Sequence, residues 1–432
     1  MAAPTRRAPP VIKTTLPCTP FLRYILMVLK ARILQQFPDC QRPAIFPVQA
    51  QAMPQLPQPS QQALLHSERL ATKIREEITA HGGWISFAHF MELALYAPGL
   101  GYYSASTEKF GAAGDFVTAP EISPLFAQCL ARQVSQVLSI TEGDILELGA
   151  GTGKLARDLL RELDAQNRAP EHYFILEVSG ELQSRQRNSI GALPQTLARR
   201  VKWVDKLPQH FAGMMLANEV FDALPVHIVA WRRQGLFECG VAFANGKFRW
   251  KERLLETGEL FDAASSLNVP VDYLSEIHLA AVALMRSLAA LLDQGVILVL
   301  DYGFGASEYY HSQRNRGTLM CHYQHHAHDD PFYLPGLQDI SSHVNFSTLL
   351  QSVDALRLLG YTTQAQFLVN CGITEILSKT APDSAAYLPL ASAAHKLLSP
   401  AEMGELFKVL ALGRGVSEQL IGFTSGDKSR LL

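Results

Sequence analysis

Two carboxylates, each near the end of an apolar run, frame the residues of this chain whose types and spacing could do chemistry. Glu147 lies in ILEL and leads into Gly149, Gly151, Thr152 and Gly153, with glycine at every second position before Lys154. A buried strand, a tight turn and a helix start in that order let the backbone press against a nucleoside. Glu177, with Val178 beside it, ends the run HYFILE, 24 residues after Gly153. An acid at that distance, at the tip of the next strand, can accept both ribose hydroxyls through its two oxygens.

The spacing excludes two commoner users of glycine-rich turns. A dinucleotide fingerprint starting at Gly149 needs glycine at 154, where the chain has Lys154; a P-loop needs glycine at 148 and Ser or Thr at 155, where it has Leu148 and Leu155. With phosphate cradling disfavoured, the expected cofactor is S-adenosylmethionine. A third group, Asn218, Glu219 and Asp222, follows the apolar run MMLA at 214–217. In an open parallel sheet, ligands bind beyond the carboxyl ends of the strands near the switch point, so this group is expected to face the cofactor's methyl. The dense run His322, His325, His326, His328, Asp329 and Asp330 invites a metal reading. A single loop offers ligands without a fixed scaffold, so no metal is assigned and a substrate-side wall is preferred.

These groups need elements to position them. Apolar spacing predicts a helix over 67–80, a second from Ser86, and a third capped by Ser123 with Pro124 at its first position. Between them lies a long glycine- and aromatic-rich loop containing Asp115 and Phe116. From 141 onward, strands and helices alternate, which predicts an α/β fold with a mostly parallel sheet covered by helices. Three closely spaced strand-like runs within 226–270, turning at Asn245-Gly246, read as an antiparallel insertion, and 303–345 reads as a further insertion. A helix is expected at about 272–293, another near 346–359, and strands near 361–368 and at LFKVLAL. The domain reading is thus an extension at 1–62, a helical module and lid at 63–140, and the catalytic domain at 141–432.

Composition narrows the function classes. Hydrophobic residues make up 48% of the 432 and charged residues 18%, as in ordinary globular proteins. Residues 1–62 hold seven basic residues against Asp39 alone, so the rest is net acidic and suits cationic substrates better than nucleic acid. Six scattered cysteines contain no C-x-x-C pair, and a reducing compartment follows. The apolar stretch 21–34 is interrupted by Arg23, Lys30 and Arg32 and is too short to span a bilayer, so no membrane insertion is expected. The Pro- and Gln-rich residues 1–62 read as a disordered extension: sequence upstream of a start at Met53, an interaction tail, or a transit peptide.

ELGAGTGKL, EVS, NEVFDALPV, GDFVTAPEIS and the run GTLMCHYQHHAHDDPF with PGLQDISSHVNF together closely resemble the MidA-type methyltransferases, over roughly residues 66–412. That family includes the mitochondrial complex I assembly factor, regarded as a protein arginine methyltransferase, and bacterial members. The resemblance implies a class I methyltransferase, Rossmann-like fold and protein arginine N-methylation linked to complex I assembly. A small-molecule methyltransferase and a non-catalytic, cofactor-binding assembly chaperone stay open as alternatives. It further implies that Gly149, Gly151, Thr152 and Gly153 shape the cofactor loop, Glu147 holds the methionine end, Glu177 binds ribose and Asp205 lies on the adenine side. Asp115, Phe116, Pro120 and Glu121 would form a lid, with His322 on the substrate side. Paired carboxylates suit a guanidinium, which makes Glu219 the expected grip and Asp222 or Glu121 the proton acceptor. Asn345 stands where the family's pattern has Asp and receives no role. The expected partner is a protein, a complex I subunit, with oligomeric state open. The expected location is a bacterial cytoplasm, or the mitochondrial matrix if residues 1–62 are a transit peptide.

Overall fold

The computed structural model describes residues 56–105 and 118–432. The extension up to residue 55 and the lid residues Asp115 and Phe116 lie outside them.

The large sheet runs through β1 (Asp144–Leu148), β2 (Tyr173–Leu176), β3 (Val201–Val204), β4 (Phe211–Asn218), β5 (Leu292–Phe304), β6 (Arg357–Thr363) and β7 (Phe407–Arg414). Its spatial order is β6-β7-β5-β4-β1-β2-β3, and the two-residue strand Val344–Asn345 pairs beside the end of β5. β1 to β5 are parallel, whereas β7 runs antiparallel to both neighbours. The chain moves outward from β1 to β3, then restarts on the other side of β1 at β4. That reversal opens the crevice where α/β sheets bind ligands.

Alternation along β5 buries both faces: Val296, Leu298 and Leu300 join one core, and Ile297 and Val299 are equally buried on the other side. Helices Pro124–Thr141 and Lys154–Ala165 close the first face with Leu130, Val134, Leu159 and Leu163. The expected α/β architecture with a mostly parallel sheet is present.

The sequence-based module at 63–140 divides in two. Helices Gln61–Ala80 and Phe87–Tyr96 pack with Val226 and with Ile228, Val241 and Leu274 of a second, antiparallel sheet, whereas helix Pro124–Thr141 belongs to the core of the large sheet. That second sheet contains His227–Arg232, Gly235–Ala244, Lys247–Leu255 and Tyr273–Ile277, and Asn245 and Gly246 turn its hairpin at φ 53° and 74°. The helix expected at 272–293 is therefore corrected. Tyr273–Ile277 is a strand paired with His227–Arg232, and the helix is Leu279–Leu291. Pairing wins because Glu276 is fully buried there and accepts the backbone N–H groups of Thr318 (2.7 Å) and Leu319 (2.9 Å) and the Tyr309 hydroxyl (2.8 Å).

The helix expected near 346–359 stops at Gln351, β6 starts at Arg357, and the region read as a strand near 361–368 passes at Gln364 into the helix Gln364–Asn370. Thr363 ends the strand by accepting the N–H of Gln366 at 3.3 Å, an N-cap inside an apolar run. A small third sheet contains His326–His328, Met320–Tyr323 and Asp339–Ser341.

Candidate active site

The turn after β1 holds Gly149, Gly151 and Gly153 at φ 63°, 52° and 77°. Glycine is required at 153: the left-handed φ is costly for other residues, and a Cβ there would meet Gln186 Cα at 3.0 Å. Gln186 is fully buried and is the centre of this half of the site. Its amide donates to Glu177 Oε2 (3.0 Å) and to the Gly151 carbonyl (3.1 Å), and its carbonyl accepts from the Trp203 indole (2.9 Å). Glu177 Oε1 takes the N–H of Ser179 at 2.8 Å. With a further backbone donor from Val178, the carboxylate holds three partners and keeps lone-pair capacity for a hydroxyl. Burial pushes Glu177 up, and the donors from Ser179 and Gln186 oppose it. Glu147 is buried, accepts the Tyr173 hydroxyl at 2.9 Å, and is pushed up to about 7 by desolvation, with Glu177 adding to it.

The short helix Ala119–Ile122 joins this half to the next. Glu121 accepts the Thr152 hydroxyl at 2.5 Å, and the Ala119 N–H lies 3.4 Å from Glu219 Oε1.

The turn after β4 lies beside the glycine turn: a Cβ on Gly149 would sit 3.4 Å from Val220 Cγ2. Glu219 adopts φ 54°, and its Oε1 accepts from the Asn218 amide at 3.2 Å. Asp301, at the end of β5, holds this turn. Its Oδ2 accepts the N–H groups of Val220, Phe221 and Asp222 at 3.2, 3.0 and 3.3 Å, and its Oδ1 accepts that of Tyr302 at 2.9 Å. Desolvation and the neighbouring Asp222 push Glu219 up to about 8, and Asp222 is raised by burial to about 6. The Tyr302 phenol favours the charged form of Asp222, yet neither Asp222 Oδ1 nor the Tyr302 hydroxyl completes a hydrogen bond.

More distant segments complete this half. Ser342 donates its N–H to the Asp222 carbonyl (3.0 Å), Tyr96 its hydroxyl to the Ala223 carbonyl (2.9 Å), and Tyr103 its hydroxyl to Asp339 Oδ1 (2.9 Å). The result is an acidic, phenol-lined site beside a glycine cradle. A cradle with φ values that glycine favours and an oriented acid with free lone pairs fit the nucleoside of S-adenosylmethionine.

Over residues 128–362, more than half its length, the chain matches the family model of S-adenosyl-L-methionine-dependent methyltransferases. A protein from Burkholderia thailandensis, solved with S-adenosyl-homocysteine bound, is 48% identical with a TM-score of 0.84, covering 87% of this chain and 100% of that one. The chain belongs to the S-adenosyl-L-methionine-dependent methyltransferases. The methyltransferase is also similar to the Drosophila melanogaster "Protein arginine methyltransferase NDUFAF7 homolog, mitochondrial", at 28% identity over 83% of this chain and 88% of the relative. The Danio rerio protein arginine methyltransferase NDUFAF7 is 29% identical over 76% of this chain and 83% of its own length. S-adenosyl-L-methionine is the cofactor, and the fold is the class I methyltransferase-like one.

In the methyltransferase, Gly149, Gly151, Thr152, Gly153, Glu177 and Glu121 lie together, and Asn218, Glu219 and Asp222 lie together beside them. Pro120 is buried, Asp205 is exposed just after β3, and Val178 is 50% exposed next to Glu177. His322 is half-buried opposite Asp339 in the strand register. His325 and His326 are exposed, and among the described residues no three His, Cys, Asp or Glu side chains group as metal ligands. Asn345 caps helix Phe346–Gln351 through its Oδ1, 3.2 Å from the Thr348 N–H. No helix of the described residues is long and apolar enough to cross a membrane.

Sequence reasoning missed Gln186, Asp301 and Asp339. Asp301 carried a visible signal, since it ends GVILVLD as Glu147 and Glu177 end their runs. Gln186 carried none, because its role comes from tertiary contacts with Glu177, Gly151 and Trp203, and Asp339 gains its place from Tyr103, far along the chain.

Proposed function

We propose that this methyltransferase transfers the methyl group to an arginine guanidinium of a protein, a subunit of respiratory complex I or its bacterial counterpart, in the cytoplasm or the mitochondrial matrix. The observation that carries the reading is the group of carboxylates in the turn after β4 and near the end of β5, with Glu219 pushed up to about 8 and Asp222 to about 6. Crowded acids held in that state await a cation. The names of the Drosophila and Danio relatives support an arginine acceptor.

S-adenosyl-L-methionine supplies an electrophilic methyl on a sulfonium. Glu177 takes the ribose hydroxyls, the glycine turn admits the nucleoside, and Glu147 and Asp205 serve the methionine and adenine ends. Glu219 grips the planar fork bidentately and aligns one nitrogen, and alignment is the main requirement of in-line displacement. The nitrogen would gain the methyl as the sulfonium S–CH3 bond breaks to leave S-adenosylhomocysteine, and Asp222 would receive the proton that the nitrogen loses. Glu121 fixes the lid segment to the glycine turn through Thr152. Mass spectrometry of complex I subunits from cells with and without the chain tests this reading. Arginine methylation that disappears with the chain is expected; an unchanged set of modified arginines would overturn it.

A further inference from the structure

The strand Lys247–Leu255 carries a charge pattern that methyl transfer does not use. Among the described residues it is an edge strand, paired only with Gly235–Ala244. Its two faces differ. Phe248 and Trp250 turn inward onto the helix Phe87–Tyr96, with ring centroids 5.8 Å from that of Phe90 and 4.9 Å from that of Phe87. Lys247, Arg249, Lys251 and Arg253 alternate with them, and all four are exposed. The register sets these four opposite Ala244, Ala242, Gly240 and Glu238. The first three carry a methyl group or less, so the basic row rises from a low floor. Glu238 is engaged by His227 at 2.7 Å, and among the described residues none of the four cations has a carboxylate within ion-pair distance. Trp84 crosses this face above Gly240, where a Cβ would collide with its ring. Its indole donates to the Lys251 carbonyl at 2.8 Å, and the Arg253 guanidinium lies 4.3 Å from its ring centroid.

Charges on an edge strand keep it from pairing with other copies, and either sign serves that purpose. Here all four have one sign, on a chain that is net acidic beyond residue 62. Side chains on one face of an extended chain recur about every 7 Å, so the four cations span roughly 20 Å in a single line. We propose that this face docks an extended acidic segment of a partner protein, whose carboxylates at alternate positions meet the four cations. Complementary charge steers such a segment to the row and fixes its register. A line one strand wide fits a single extended chain, whereas a duplex or a bilayer would spread over a molecule that is net acidic and be repelled. Arg253, held on the Trp84 ring, is the ordered end of the row. The docking face is made from different residues than the carboxylates proposed to take the acceptor, and its ligand has the opposite charge. It therefore holds whether or not the acceptor is an arginine.

The test uses the full chain and two fluorescein-labelled peptides, read by anisotropy at about 50 mM salt, where surface charges are little screened. One peptide is four Glu-Thr repeats; the other is four Glu followed by four Thr. The parent is expected to bind the alternating peptide more tightly than the block peptide. Arg249→Glu with Lys251→Glu is expected to weaken the alternating peptide about tenfold or more, the scale of two lost pairs and two new repulsions. Arg249→Gln with Lys251→Gln removes the pairs alone and is expected to weaken it about threefold, which provides a second reading if the charge reversal does not fold. Lys396→Glu with Arg430→Glu makes the same change in net charge at exposed positions elsewhere and is expected to bind like the parent. Parent-like binding by the charge-reversed variant, or by the Gln variant where only that one folds, overturns the proposal. So does equal affinity of the parent for the two peptides, no binding of either, or an equal loss in Lys396→Glu with Arg430→Glu. Tighter binding of the parent to oligothymidylate, or to vesicles of phosphatidylcholine and phosphatidylserine, than to the alternating peptide overturns the protein partner. Each of these outcomes leaves the arginine reading standing, since that is tested by the methylation comparison alone.

Discussion

The two halves of the site are built in opposite ways. On the cofactor side, Glu177 is locked by Ser179 and Gln186, and the groups around the glycine turn lie mostly between 147 and 186, with Glu121 and Trp203 added from nearby segments. On the acceptor side, Glu219, Asp222, Asp301 and Asp339 come from three separate segments; burial raises the first two, and neighbouring carboxylates add to the shift of Glu219. Local construction suits a cofactor whose shape is constant. Assembly from separate segments lets acceptor choice vary while the cofactor half stays unchanged.

The sharpest way to break this contrast is Glu219→Ala. Removing the carboxylate proposed to grip the acceptor is expected to cut methyl transfer by about two to three orders of magnitude, the scale of losing one oriented electrostatic partner. Affinity for S-adenosylhomocysteine, read by calorimetry, is expected to stay near the parent's. Asp301→Ala ranks next. It orphans the N–H groups of Val220, Phe221 and Asp222, each costing about 1–3 kcal/mol if it finds no water, so the melting temperature falls. The displaced turn is expected to slow transfer about a hundredfold, again with little change in cofactor affinity.

Gln186→Ala sharpens the comparison from the other side. Loss of its bonds to Glu177 and Gly151 is expected to weaken S-adenosylhomocysteine about tenfold, one to two hydrogen bonds' worth, while the rate at saturating cofactor stays near the parent's. An equal loss in both would mean that the halves are not separable.

The smallest effect concerns pH. Glu219 is raised to about 8 in the folded chain, so between its ordinary value and 8 the folded state holds a proton that the unfolded chain has released. Stability of the cofactor- and acceptor-free protein therefore falls as pH rises through that window. Glu219→Gln is expected to melt at or above the parent's temperature, with a gap that widens from pH 5 to pH 9. A gap independent of pH would show that the carboxylate is not held protonated.

The same contrast explains what was legible in the sequence. Glu147, the three glycines and Glu177 announced themselves because strand, turn and acid follow one another within one continuous stretch. The parallel sheet was legible from alternating apolar runs, and the Asn245-Gly246 hairpin from turn chemistry. Tyr273–Ile277 misled because YLSEI runs straight into a genuine helix, and only pairing with His227–Arg232 and the buried Glu276 makes it a strand. Asp339 could not be found from spacing, since its meaning depends on Tyr103, more than two hundred residues away.

The most direct test of this division of labour pairs Glu177→Gln with Glu219→Gln. Each is titrated with S-adenosylhomocysteine by calorimetry and then given S-adenosylmethionine with a labelled methyl and an arginine-bearing acceptor protein. The expected result is that Glu177→Gln loses cofactor affinity, whereas Glu219→Gln binds like the parent and transfers almost no label. Loss of cofactor affinity to the same extent in both variants, or parent-like transfer by Glu219→Gln, would contradict the account.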